Sequence, residues 1–106
     1  MSERVVVLST VGSADDAERI AAALVERRLA ACVNVVAGVR SIYRWKGRVE
    51  TEDERLLVIK TRRDRFEAVK EALLALHPYE LPEAIVLTIE AGHAPYLAWL
   101  DESVTT

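Results

Sequence analysis

The stretch Cys32-Val33-Asn34-Val35-Val36-Ala37-Gly38-Val39-Arg40-Ser41-Ile42-Tyr43-Arg44-Trp45, followed by Lys46-Gly47 and a second run from Val49 to Thr61, decides the fold. Its odd positions read Val33, Val35, Ala37, Val39, Ser41, Tyr43 and Trp45, while its even ones include Asn34, Arg40 and Arg44; a period of two belongs to a strand. Lys46-Gly47 is a hairpin turn signal, and Leu56-Leu57-Val58-Ile59 is apolar on both faces. One long β-hairpin is predicted. Fourteen residues at about 3.3 Å each span roughly 46 Å, whereas a globule of this chain length has a radius of gyration of about 13 Å and a diameter of roughly 33 Å. The ribbon should therefore overhang its own domain. Its far half carries Val39, Ile42, Tyr43, Trp45 and Val49, too apolar to stand bare, and its edges offer unpaired N–H and C=O groups. Closed self-association covers both, because every copy supplies a protruding hairpin and a surface to receive one. The alternative is a hairpin bent sharply at Gly38 that folds back on its own helices. In an assembly, Tyr43 and Trp45 are the expected anchors between subunits, since large rings gain most by inserting into a neighbour.

Outward from the hairpin the elements alternate. Val5 to Ser9 is a short β-rich run, and Ser13, with Asp16 three residues on, starts a helix predicted over Ala14 to Arg28 with Ala17, Ile20, Ala21 and Leu24 at helical spacing. Arg27 and Arg28 stand where its last carbonyls want cations. Asp64 with Glu67 resembles a capping box, and Phe66, Val69, Leu73 and Leu76 give the buried stripe of a helix over Arg65 to Leu76, stopped by His77-Pro78. Ile85 to Ile89 is a last strand, and Pro95 introduces a short tail helix carrying Tyr96, Leu97, Trp99 and Leu100. The order β-α-β-β-α-β plus a terminal helix is that of an α+β, ferredoxin-like sandwich, a single domain over residues 1–106.

Composition narrows the functional classes. The chain is 51% hydrophobic, 29% charged and 6% aromatic, so it can bury a core but has few rings for recognition. No apolar run approaches the ~18 residues a membrane-spanning helix needs, and Met1-Ser2-Glu3-Arg4 leads into Val5 without a secretory cleavage site, so no membrane partner and a cytoplasmic location are expected. One cysteine, Cys32, excludes an internal disulfide and a Cys-x-x-Cys metal knuckle. A net charge of −3 argues against nucleic acid, whose binding is driven by cations. An RNA-recognition module shares the element order, but after Lys46-Gly47 the chain supplies Glu50, Glu52, Asp53 and Glu54 where stacking aromatics belong.

Several residues are candidates for chemistry. His77, between a helix end and Pro78, can bind a metal, accept a proton or hydrogen-bond the helix's last carbonyls. Glu80 and Glu83 flank Pro82 and can share a cleft with Lys60 and Tyr79, or form a structural ion pair with Lys60. Cys32 reads first as a small core residue and only weakly as a metal ligand. Glu50, Glu52 and Glu54 alternate on one strand and can collect hard cations loosely, although Arg40, Arg44 and Arg48 across the hairpin are ready partners. Thr10-Val11-Gly12-Ser13 offers backbone N–H groups but lacks the glycines and Lys of a phosphate loop. His93 reads as an exposed loop residue. A catalytic pair of Cys32 with His77 or His93 would need spatial contact that no spacing favours.

Ala30-Ala31-Cys32-Val33-Asn34, Ser41-Ile42-Tyr43-Arg44-Trp45-Lys46-Gly47, Ile59-Lys60-Thr61, His77-Pro78-Tyr79-Glu80-Leu81-Pro82-Glu83 and Tyr96-Leu97-Ala98-Trp99 stand in the order and spacing of the CutA family, the divalent-cation tolerance proteins, which this chain resembles from Val5 to about Leu100. The resemblance implies a homotrimer, similar in architecture to PII signalling proteins, in which the long hairpin joins neighbours. It implies a non-enzymatic part in tolerating divalent metals, copper especially. Family members with proposed copper ligands carry a Cys at the end of the first strand and two adjacent His before Pro-Tyr; here Ser9 and Leu76 stand at those positions, leaving His77 as the metal candidate. Weak binding of Cu(II) or another divalent ion is the expectation, since one imidazole makes no tight site unaided. The alternative is a PII-like sensor of a small anionic ligand in an inter-subunit cleft lined by Lys60, Tyr79, Glu80 and Glu83, with Cys32 nearby.

Overall fold

The computed structural model describes residues 3–105. It consists of β1 (Arg4–Val11), α1 (Ala14–Glu26), β2 (Cys32–Trp45), β3 (Arg48–Arg62), α2 (Phe66–Leu76), β4 (Ile85–Thr88) and α3 (Ala94–Ser103). The strands form one four-stranded sheet in the order β2-β3-β1-β4, antiparallel at every pairing. This is the ferredoxin-like arrangement that the order of elements predicts. No helix among the described residues is long and apolar enough to cross a membrane.

Period two and period 3.6 meet in the core. Val5, Val7 and Val11 of β1 and Leu57 and Ile59 of β3 point to one face, where Ile20 and Leu24 of α1 and Val69 and Leu73 of α2 cover them completely. A smaller cluster of Leu100, Val104 and Ala31 seats α3 at the end of the sheet, clamped by Arg4, whose guanidinium reaches the Asp101 carboxylate at 2.6 Å. The opposite sheet face carries no helix pair and leaves Ile85 and Leu87 of β4 exposed.

The helix ends differ from expectation in instructive ways. Ser13 caps α1 as predicted, its hydroxyl accepting from the Asp16 N–H at 3.1 Å. Arg28, however, lies beyond the helix at φ 58, and its guanidinium donates to the Glu102 carbonyl of α3 rather than to α1. Asp64 does not cap α2: it is bonded by Arg62 at 3.0 Å, and a single 3₁₀ turn, Arg63–Arg65, leads into the helix without a side-chain cap.

The hairpin is long, as predicted, and it is bent. The molecule measures 44 × 25 × 22 Å, with β2 and β3 paired from Cys32↔Lys60 to Trp45↔Arg48. Between Val36 and Val39 the register slips, with Gly38 at φ +79 where only glycine is unstrained. Beyond the slip the outer arm curves toward the segment following α2, and Lys46 Nζ comes within 3.8 Å of Glu80 Oε2. Gly38 is thus the bend, but the arm faces residues 78–83 instead of the helices. Ile42 and Val49 on its outer face remain 68% and 66% exposed.

Candidate functional site

The bend encloses a groove of about 870 Å³ between the hairpin arm and the segment after α2. One wall is Ser41 to Trp45, the floor is Glu50, Glu52 and Glu54, and the other wall is Pro78 to Leu81 with Glu83. Register explains the floor. Past the slip, Val39, Ser41 and Tyr43 pair with Glu54, Glu52 and Glu50, so the three carboxylates share a face with Tyr43 and with Arg48 of their own strand, not with Arg40 or Arg44. Arg40 opposes Asp53 and Arg44 opposes Val49 on the other side. The expected pairing of these glutamates with Arg40 and Arg44 is therefore corrected by one residue of bulge, which exchanges the two faces of β2 in the outer arm, while Arg48, on β3 itself, stays on the glutamates' face.

Tyrosine hydroxyls hold two of the carboxylates instead. Tyr43 donates to Glu52 Oε1 at 2.8 Å and Tyr79 to Glu54 Oε2 at 2.5 Å. The bond to Glu52, with desolvation behind it, pushes the Tyr43 phenol up to about 12. Burial first, then Glu54, raises Tyr79 as well, and burial beside Glu54 lifts Glu83 above the ordinary carboxylate range. Tyr43 is therefore engaged by its own chain, and Trp45 is half-buried in its own groove. The large apolar arm residues that the chain leaves most open are Ile42 and Val49, which the period-two reading did not single out as anchors.

His77 is buried and fully engaged. Its backbone N–H donates to Leu73 O, ending α2, while its ring meets β1 rather than the helix carbonyls. β4 pairs with β1 only from Val5 to Leu8, and the Arg4 carbonyl accepts from Ile89 on that side. By strand alternation the Thr10 carbonyl points the same way, past the end of β4. His77 Nε2 occupies that vacancy at 2.8 Å. Its Nδ1 accepts from the Tyr79 N–H at 3.1 Å, which assigns the proton to Nε2 and leaves no lone pair for a metal while both bonds stand.

The remaining candidates separate. Cys32 and Lys60 face each other across β2 and β3, and Lys60 Nζ lies 5.9 Å from the Tyr96 ring. Lys60 pairs with Val6, four residues along β1 from Thr10, a distance of about 13 Å. Within the chain Tyr79, Glu80 and Glu83 thus share the groove, and Cys32 and Lys60 stand apart from it. Cys32 is only partly buried and lies outside both apolar clusters, because its register with Lys60 turns it away from the helices. His93 is exposed ahead of α3, as expected. Sequence reasoning missed Glu54 as the most enclosed carboxylate, 6% exposed, since nothing local announces that Tyr79, 25 residues later, will cover it.

The groove suits cations weakly. Five carboxylates line it, with Arg44 the one cationic side chain among the described residues of its walls, but alternate residues on a strand stand about 6.6 Å apart. Among the described residues no three His, Cys, Asp or Glu side chains group as metal ligands. Such a lining brackets a hydrated ion rather than stripping it. An anionic ligand would enter against all five charges.

Residues 5–103 match a family model described as CutA1 divalent ion tolerance protein. A relative from Thermus thermophilus, named divalent-cation tolerance protein CutA, is 53% identical over 98 residues, covering 92% of this chain and 95% of the relative. A solved structure from the same organism, described as divalent cation tolerance protein (Cut A1), superposes with a TM-score of 0.94 at 51% identity, over 96% of this chain and 99% of that one. A structure described as the periplasmic divalent cation tolerance protein CutA from Archaeoglobus fulgidus gives a TM-score of 0.93 at 36% identity, over 96% and 99% of the two chains.

Proposed function

Because this chain belongs to the CutA1 divalent ion tolerance family, we propose that it serves tolerance of divalent cations as a non-enzymatic homotrimer that binds such ions weakly, copper included, in its acidic groove. The observation that carries the reading is the convergence of Glu50, Glu52, Glu54, Glu80 and Glu83 on one cavity opposite two tyrosine hydroxyls. Oxygen donors favour hard, hydrated cations, while the general affinity order still places Cu(II) ahead of Mn(II) and Zn(II) at any such site. His77 has both ring nitrogens committed, so the carboxylates supply the attraction. The distance of Cys32 from His77 supports a role without catalysis.

Assembly is supported by what the protomer leaves bare. Ile42 and Val49 on the arm, Leu81 on the segment after α2, and Ile85 and Leu87 on the sheet face away from α1 and α2 are all about half exposed or more, apolar side chains whose burial against a second chain would be favourable. A cytoplasmic location belongs to the same proposal, and cell fractionation checks it. Equilibrium dialysis tests the binding. Retention of Mn(II) and Cu(II) at dissociation constants of about 0.1–1 mM, weakened by Glu50→Gln with Glu52→Gln, is expected; no retention, or retention untouched by those changes, rejects the groove.

A further inference from the structure

A buried imidazole with two bonds, a tyrosine on a carboxylate and a glycine beneath it occur in one run of contacts that metal binding alone does not account for. We infer that His77 is a positioning residue: its ring seats Tyr79 on Glu54 and thereby withholds that carboxylate from the groove. This rests on the groove being the cation site.

The argument starts from the backbone. Pro78 fixes its own φ and forces His77 into extended conformation, observed at φ −78 and ψ 136. In that conformation the side chain of His77 turns back to accept the N–H two residues ahead, the local geometry that Asn and Asp adopt in turns. The accepting Nδ1 fixes where Tyr79 begins, and Nε2 anchors the same ring to Thr10 on β1. The two rings then lie 4.6 Å apart at 55°. Tyr79 is carried over Gly12, where a Cβ would stand only 3.1 Å from its hydroxyl oxygen. Glycine is there for the close approach. From that seat the hydroxyl reaches Glu54, whose carboxylate is nine-tenths buried and receives its donor from Tyr79. A carboxylate so enclosed needs a donor or a cation; while Tyr79 supplies the first, the second is displaced.

Mn(II) binding and hydrogen exchange, measured on the whole protein, test this together. His77→Ala is expected to speed exchange of the Tyr79 amide by about tenfold or more, since it removes the acceptor that this N–H uses, and to tighten Mn(II) about tenfold by freeing Glu54 from a charge-assisted bond. Tyr79→Phe should tighten Mn(II) equally, and adding His77→Ala to it should add nothing. His77→Asn, which keeps an acceptor for the Tyr79 N–H, should restore parent-like exchange and affinity. The imidazole ¹⁵N shifts of the parent should report the Nε2–H tautomer. Loss of Mn(II) binding in His77→Ala would make the ring a ligand and overturn the inference, as would unchanged Tyr79 exchange. Accelerated exchange with no Mn(II) bound by any variant would reject the groove as a cation site and, with it, the withholding role.

Discussion

Ser9 is a polar side chain in an apolar place. It is fully buried on the helix-facing side of β1, and its hydroxyl has no hydrogen-bond partner among the described residues. An unpartnered buried hydroxyl costs about 1 kcal/mol or more, so Ser9→Ala should stabilise the fold by about that amount, read as a higher urea midpoint at equal chain concentration. A lower midpoint would mean that the hydroxyl is satisfied. Asp16 acts in the opposite sense. The Arg19 hydrogen bond, then the Ser13 hydroxyl, hold its carboxyl below the usual value of 3.8. A group with a folded pKa below its unfolded one contributes stability that is present above the unfolded value and lost as pH falls through the folded value. Asp16→Asn should therefore lower stability at neutral pH and flatten its decline below about pH 4; an acid limb of unchanged slope would dismiss that role.

At the scale of elements, the hairpin turn is where chemistry and conformation disagree most. Lys46 and Gly47 sit at φ 49 and φ 79, the left-handed pair that a type I′ turn requires and that Asn-Gly adopts more readily than Lys-Gly. Lys46→Asn gives up the 3.8 Å contact with Glu80, but that pair is some three-quarters exposed on both sides and such pairs contribute close to nothing. A gain of about 0.5 kcal/mol is expected; a loss would show that Lys46, through Glu80 or through its Nζ 5.5 Å from the Trp45 ring centroid, holds the turn in place. Elements of this kind were legible in sequence wherever a pattern is local. Period two announced β2 and β3, Ser13 announced α1, and His77-Pro78 announced the end of α2. What local pattern could not carry was register. One extra residue at Ala37-Gly38 exchanged the faces of β2 in the arm, placing Glu50, Glu52 and Glu54 opposite Tyr43, Ser41 and Val39 instead of Arg40 and Arg44. Capping at Asp64 failed for a related reason, because Arg62 two residues earlier competes for the same carboxylate. Within the single chain Tyr79, Glu80 and Glu83 line one groove, whereas Lys60 and Cys32 lie toward the other end of the sheet; local pattern carried the first grouping, and only the register could place the second pair.

For the whole molecule, the decisive quantity is apolar surface left outside the fold. The core is closed by α1 and α2 on one face; α3 reaches Arg4, Lys60 and Arg62 on the other, where Ile85 and Leu87, with Ile42 and Val49 on the outer side of the arm, are left to a second chain or to water. Ile42→Asp combined with Val49→Asp puts charges where the proposal buries side chains. Assembly should weaken about a hundredfold or more, since each buried charge without a partner costs several kcal/mol, while far-ultraviolet circular dichroism stays close to the parent's because neither residue touches the core. Assembly equal to the parent's would place the contact elsewhere.

The mass of the particle in solution, by light scattering at micromolar concentration, bears most directly on this picture. A mass three times the 11.8 kDa chain is the predicted result; a lone 11.8 kDa particle that keeps its hairpin exposed would contradict it.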